Sequence, residues 1–593
     1  MVWMLFDAIG YPQAHMDFAY ENGSDALALT DHGNMNGLAY QVLHAKKMLA
    51  SGQEFKPIFG CEAYFTPSIA EWHDAYNQAM EDKKKARSIK RDNQSGATVE
   101  DEGDSKKTQS ILKNRRHLVL LAQNQTGLNN LFKLVSESYQ PENFYRYPRI
   151  DYALLKKHNE GVIASSACLG GVYAGNYWEH RDEGATAVLE AMRESTRQMV
   201  DIFGDRWYAE VQWNNIKEQH ELNQYVIQIA QEFDIGLIST ADSHYPTPDA
   251  WRDRELYKRL GWLGKGKPSW ADDDDSAVLP PSVDEIGMEL YPKNGDQMWE
   301  SYKRYSQKQG FEYDDDVIMQ SLEETHKIAF ERIESFLPDN TVRLPEFVVP
   351  AGFTATQALV NFALEGLKDK GLHDNVEYAE RLKHELNVID DRGFSKYFLT
   401  MKSIVDVAAS AMLPGPGRGS AAGSLVAYAL NITQVDPIKH GLLFSRFLRS
   451  DATDYPDIDY DVSDSMALKE KLVEMWGEDC VAPISNWNTL QLKSLIKDIS
   501  KLYNIPFTEV NTVTAIMIRE ATPEAKRKHG IKAGVYAPTW EEVMEFSPTL
   551  QRYLAQHPAV KTHVEGLVGQ VRSCSRHAGG VVIAEDLDKN MPL

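Results

Sequence analysis

Short apolar runs of strand length in the N-terminal part of this chain repeatedly end in side chains able to hold a metal ion, and that recurrence constrains the fold more than any single motif. Ala26 to Leu29 ends in Thr30-Asp31-His32-Gly33, and Pro57 to Phe59 leads into Gly60-Cys61-Glu62. Gly161 to Ala164 leads to Cys168, Ile235 to Ile238 ends in Thr240-Ala241-Asp242-Ser243-His244, and His117 opens the run HLVLLA. Strands alternating with helices imply a βα barrel, whose site is built at the ends of its strands. A mixed His, Cys and carboxylate set suits Zn, Mn or Fe. Such a cluster makes a hydroxide nucleophile and clamps a phosphodiester, the chemistry of a phosphoesterase or nuclease. Taken singly, each of these residues reads better as a capping Asp, a core Cys or a hydrogen-bonded His than as a ligand. Their recurrence at successive strand ends favours a cluster.

The 593 residues allow about three to five domains at roughly 100–200 residues each. Lys plus Arg number 63 against 86 Asp plus Glu, a formal charge of -23, which excludes a purely electrostatic nucleic-acid coat but not a local basic groove. Apolar runs such as Leu118 to Ala122 and Val581 to Ala584 fall far short of the ~20 residues of a membrane span, so no membrane partner is expected. Met1 to Tyr11 lacks a basic segment and meets Asp7 early, unlike a secretory signal. Cys61, Cys168, Cys480 and Cys574 are widely spaced without a CxxC, which fits a reduced, cytoplasmic chain. Residues from about 74 to 116 hold almost no large apolar side chains and read as a disordered surface insertion. Gly264 to Pro281, with its Asp272 to Asp275 run, reads as an interdomain loop. Beyond it, Leu322 to Phe336, Ala358 to Leu367 and Ile404 to Met412 show helical apolar spacing.

The most informative stretch runs from Leu413 to Asp461. Gly415-Pro416-Gly417-Arg418-Gly419-Ser420 precedes the apolar run SLVAYAL. A Gly-rich loop feeding a helix lets backbone N–H groups approach a phosphate chain, with Arg418 and Ser420 as further donors. The Lys of a P-loop is absent, Gly417 to Ala422 also fits a dinucleotide fingerprint, and a purely structural turn is a third reading. Further on, Tyr455-Pro456-Asp457-Ile458-Asp459-Tyr460-Asp461 would place three carboxylates on one face of a strand, an arrangement that Mg²⁺ resolves. A solvated edge strand or a calcium loop would read the same way.

The segments LALTDHGNMNG, GCEAYF, HLVLLAQNQTGLNNLFKLVS, IASSACLGG and STADSHY resemble the polymerase and histidinol phosphatase (PHP) domain that opens bacterial DNA polymerase III alpha subunits. RGFSKYFLTMKSIVDVA, GPGRGSAAGSLVAYALNITQVDPIKHGLLFSRFL, YPDIDYD and CSRHAGGVVIAEDL resemble the palm of the same family C replicative polymerases. The resemblance implies an α/β multidomain chain: a PHP-type (β/α)7-like barrel with the disordered insertion over 1–265, a linker and nucleotidyltransferase-like α+β palm over 266–488, a helical thumb over 489–566, and a truncated return to the palm over 567–593. It implies Asp31, His32, Glu62, His117, Cys168, Asp242 and His244 as PHP ligands to Zn²⁺ or Mn²⁺, and Asp457 and Asp459 as catalytic carboxylates holding Mg²⁺. Arg418, Gly419, Ser420 and Arg446 would face the triphosphate, and Lys493, Lys497 and Lys501 would begin the thumb. The family's HxH motif, expected ahead of the stretch resembling Leu5-Phe6-Asp7-Ala8, is missing, as are its third catalytic Asp, fingers and clamp-binding region. The expected function is template-directed DNA synthesis with a PHP-linked 3′–5′ exonuclease. Expected partners are primer-template DNA, deoxynucleoside triphosphates and the missing C-terminal half, with a sliding clamp reached only through absent regions. The alternatives are a PHP phosphoesterase with a non-catalytic second half, or an inactive half of a split polymerase.

Overall fold

A computed structural model describes residues 6–92, 115–262, 283–345, 347, 349 and 352–593. It is a mixed α/β chain that divides into two compact units, one of residues 1–339, 487–575 and 591–593 and the other of residues 340–486 and 576–590. Its strands are β1 (Ala26–His32), β2 (Lys56–Phe65), β3 (Arg116–Ala122), β4 (Phe144–Tyr145), β5 (Tyr147–Pro148), β6 (Val162–Ser165), β7 (Trp207–Gln212), β8 (Gly236–Thr240), β9 (Val481–Thr489) and β10 (Val571–Ile583).

In the first unit six strands form one sheet in the order β1-β2-β3-β6-β7-β8. β1 and β8 are its edges, so among the described residues the expected barrel is an open sheet. β3 runs antiparallel to β2 and β6, whereas the other neighbours are parallel. That reversal brings the first residues of β3 to the end of the sheet where β1, β2, β6 and β8 finish. Helices carry a core against one face, with Leu128, Leu131, Met199, Val226 and Ile229 all buried. Residues 487–575 contribute a helical cluster to the same unit, centred on Leu495, Ile499, Met517 and Val564, which packs with Tyr257 and Trp251.

One expectation changes here. Residues 74–92, read as open chain, continue the helix Ile69–Asp92. The stretch has few large apolar residues but is rich in Ala, Lys and Arg, whose backbone propensity favours a helix. The rest of that insertion, 93–114, and the interdomain loop both fall outside the described residues.

The second unit is largely helical. Its core joins the helices Ala355–Asp369, Val376–Asp391 and Ser395–Ala411 to the short helix Leu425–Ala429. The expected α+β character reduces, among the described residues of this unit, to residues 481–486 of β9 and 576–583 of β10. Residues 455–461 are extended but join no sheet; a single antiparallel bridge links Pro414 with Val462. Gly415 N–H donating to Asp461 O and Ser463 N–H donating to Leu413 O flank that bridge. Among the described residues no helix is long and apolar enough to cross a membrane.

Candidate metal cluster and nucleotide loop

Register builds the first site. His32 of β1 stands opposite Glu62 of β2, and β3 presents His117 at the same end. Glu62 Oε1 lies 2.6 Å from His117 Nδ1 and 3.4 Å from His32 Nδ1. Neither approach has hydrogen-bond geometry at the buried atoms His32 Nδ1 and Glu62 Oε1, which are left without a partner. Buried polar atoms are rarely left so, and a carboxylate facing two imidazole nitrogens is the donor set a divalent metal would satisfy. His32 also joins Asp7 and His244 in a second three-donor group. His244 Nε2 is 3.7 Å from Asp7 Oδ2, and Arg254 holds Asp7 Oδ1 at 2.6 Å.

Of the seven residues expected from sequence, His32, Glu62, His117 and His244 fall in these groups. Cys168 Sγ lies 3.6 Å from His117 Nδ1, and Asp242 Oδ1 lies 3.6 Å from His244 Nδ1, so both border the cluster. Asp31 joins neither group: its Oδ2 accepts the Gly37 N–H at 2.8 Å. Successive strand residues face opposite sides, so Asp31 and His32 do not share one face. Asp7 and Glu210 were missed. The only signal for Glu210 is a carboxylate inside the apolar run WYAEVQ.

Electrostatics follow from burial. His32 is held far below the usual imidazole value by burial and then by His117 and His244. Burial pulls His117 down as well, but Glu62 outweighs it and raises this imidazole. Burial pushes Cys168 well up, with Asp242 and Glu62 adding to it. A cavity of about 530 Å³ over the inner face of the sheet is lined by Glu62, Cys168, Glu210 and Asp242.

Burial raises Glu210 to about 7; bonds from Ser165 and Thr240 oppose the shift, and Asp242 and Glu62 reinforce it. A carboxyl protonated more readily in the folded chain stabilises it at acid pH, and that contribution is lost as pH rises through about 7. Glu210→Gln removes the ionisation at nearly constant volume. It should flatten the stability profile between about pH 4.5 and 7 and raise the metal-free chain's Tm at roughly pH 8 by a few degrees, as read by thermal melts.

The second site lies in the second unit. Gly415 N–H donates to Asp461 O at 2.8 Å, so the Gly-rich loop runs beside the acidic segment. Gly419 adopts φ +69°, and a Cβ there would meet Asp459 Oδ2 at 2.5 Å, so glycine alone allows this approach. Asp457, Asp459 and Asp461 are exposed, while Ile458 and Tyr460 turn toward the core. Asp461 takes Arg418 at 3.3 Å, and among the described residues neither Asp457 nor Asp459 has a cationic partner. Tyr397 anchors the segment by donating to Pro456 O at 2.7 Å. Arg446 is exposed on the turn Phe444–Arg446.

The helix after the loop differs from the reading. Ser420 opens a 3-10 turn, and the α-helix Leu425–Ala429 is five residues long. Its first turn is already occupied: buried Glu385 accepts from Ser424 Oγ at 2.9 Å and Val426 N–H at 3.0 Å. Arg381 pairs with that carboxylate at 2.6 Å and donates to Gly423 O and Leu442 O. The donors this segment leaves at its surface are therefore the loop's own backbone, Arg418 and Ser420, rather than a helix end.

Residues 3–214 match the PHP domain family, and residues 357–593 match the family described as bacterial DNA polymerase III alpha NTPase domain. Curated relatives include the DNA polymerase III subunit alpha of Aquifex aeolicus, 33% identical over 97% of this chain and 46% of the relative. That of Thermus aquaticus is 30% identical over 96% of this chain and 45% of the relative. That of Campylobacter jejuni is 29% identical over 97% and 44%. The chain thus spans under half the length of these curated relatives.

Proposed function

Because the chain belongs to the bacterial DNA polymerase III alpha family, as an N-terminal portion made of a PHP domain followed by the alpha NTPase domain, we propose that its second unit binds a deoxynucleoside triphosphate for transfer to a primer 3′ end. The observation that carries this reading is the backbone of Gly419 set against the carboxylate of Asp459, beside an Asp457 without a cationic partner. Bound Mg²⁺ would neutralise phosphate charge and activate the attacking oxygen. Asp457 and Asp459 would hold it. Gly419 N–H, Ser420 and Arg418 would face the phosphates, and Tyr397 keeps the acidic segment in place. The partner is primer-template DNA, with the exposed Lys493 and Lys501 on the helix Leu492–Leu502 toward its backbone.

A second phosphate chemistry is carried by the orphaned pair His32 Nδ1 and Glu62 Oε1. In this reading His32, Glu62, His117, His244 and Asp7 hold Zn²⁺ or Mn²⁺, and the cluster hydrolyses a phosphodiester, as a 3′–5′ exonuclease does.

Nucleotide binding in Mg²⁺ tests the first reading. Arg418→Ala combined with Ser420→Ala should weaken it by about 10- to 100-fold, the worth of one or two charge-assisted hydrogen bonds. Unchanged affinity would make the loop a structural turn.

A further inference from the structure

Two consecutive arginines, Arg115 just before β3 and Arg116 at its start, have different fates. Arg116 is buried and committed, to Glu179 at 2.7 Å and Asn176 at 2.7 Å. Arg115 is half-buried, and among the described residues no carboxylate pairs with it. Its guanidinium instead lies over two rings, 4.1 Å from the centroid of Tyr147 and 5.1 Å from that of Tyr64. In a chain with 86 acidic and 63 basic residues, a cation without an acid beside a carboxylate-rich cluster calls for another partner.

The aromatic stack leads into that cluster. Tyr64 is buried, with ring centroids 5.9 Å from His32 and 5.6 Å from His117. Tyr147 forms the outer end and is 37% exposed. Its position is fixed three ways: the β4–β5 pairing, an Arg149 bond to its carbonyl at 3.1 Å, and an edge contact with Tyr64 at 5.2 Å. A stacked guanidinium uses its faces and leaves its N–H edge for an oxyanion. An exposed tyrosine ring beside it offers a platform for a base. An isolated phosphate would need the arginine alone; a nucleotide uses both.

We propose that Arg115 and Tyr147 form a lip at the cluster that receives the terminal nucleotide of a single-stranded nucleic acid, phosphate on Arg115 and base on Tyr147. The proposal rests on the reading of the cluster as a phosphodiester site. It is tested on the full chain in Mn²⁺ with two diesters sharing one leaving group, thymidine 5′-(p-nitrophenyl phosphate) and methyl p-nitrophenyl phosphate. Water adds at phosphorus and p-nitrophenolate leaves in both. Arg115→Ala should raise KM for both by about tenfold, and Tyr147→Ala for the thymidine ester only, with kcat and bound Mn²⁺ little changed. Tyr147→Phe, which keeps the ring, should restore KM. Unaltered KM in both alanine variants would overturn the proposal.

If neither ester is hydrolysed, the phosphodiester reading fails, and the lip is then tested alone. An oligodeoxynucleotide with 2-aminopurine at its end should change fluorescence on binding in EDTA, more than one carrying the probe internally, and the alanine variants should lose that difference. No end-specific signal from the unsubstituted chain, or the same signal from the variants, would overturn it.

Discussion

Glu62→Gln should strip divalent metal from the six-stranded unit, raising the Kd for Mn²⁺ or Zn²⁺ by about 100-fold or more. Loss of an outer-shell group alone typically costs 10- to 100-fold. Glu62 stands between His32 and His117, so a neutral amide would remove the anion that the two imidazoles share. The same substitution should lower the His117 pKa, because Glu62 is what holds it above the ordinary value against burial. Binding metal requires His117 to give up its proton, so affinity should fall as the solution is acidified, and proton release should accompany binding. Titration calorimetry in buffers of different ionisation enthalpy, with metal content after dialysis, reads both effects. A Glu62→Gln chain that keeps its metal would contradict this account of the cluster.

Asp457→Asn and Asp459→Asn should each reduce Mg²⁺-dependent nucleotidyl transfer by about a thousandfold or more, since in-line transfer depends on carboxylates that fix the metal against the phosphates. Asp461→Asn is the contrast. Its carboxylate is exposed and paired with Arg418, and removing an exposed pair should change the rate by only about threefold. Equal losses at all three positions, measured on a primed template, would mean that the acidic segment acts as an undifferentiated patch.

Much of this architecture was legible because burial writes itself into sequence. β1, β2, β3, β6 and β8 coincide with apolar runs, and the residues that end or open those runs include four of the cluster's members. β7 was not legible, because Glu210 and Gln212 interrupt its apolar character in order to line the cavity. Asp31 and His32 were read together as ligands, yet the two-residue period of a strand sends one to the cluster and the other to Gly37. Asp457, Asp459 and Asp461 are exposed and alternate with the half-buried Ile458 and Tyr460, although the segment forms no strand. Glu385 could not have been found locally: it reaches its partners Ser424 and Val426 from a separate helix, and only the fold brings it there. Asp7 lacked a strand to mark it and was seen only as part of a resemblance.

The central claim, that the Gly-rich loop and the acidic segment form one nucleotide site, is tested most directly by incorporation of labelled deoxynucleotide on a primed template. The assay combines this chain with a polypeptide covering the remaining length of its relatives and compares the unsubstituted chain with the Asp457→Asn, Asp459→Asn double variant. The account predicts template-directed, Mg²⁺-dependent incorporation that the double variant abolishes. Incorporation that survives the double substitution would contradict it.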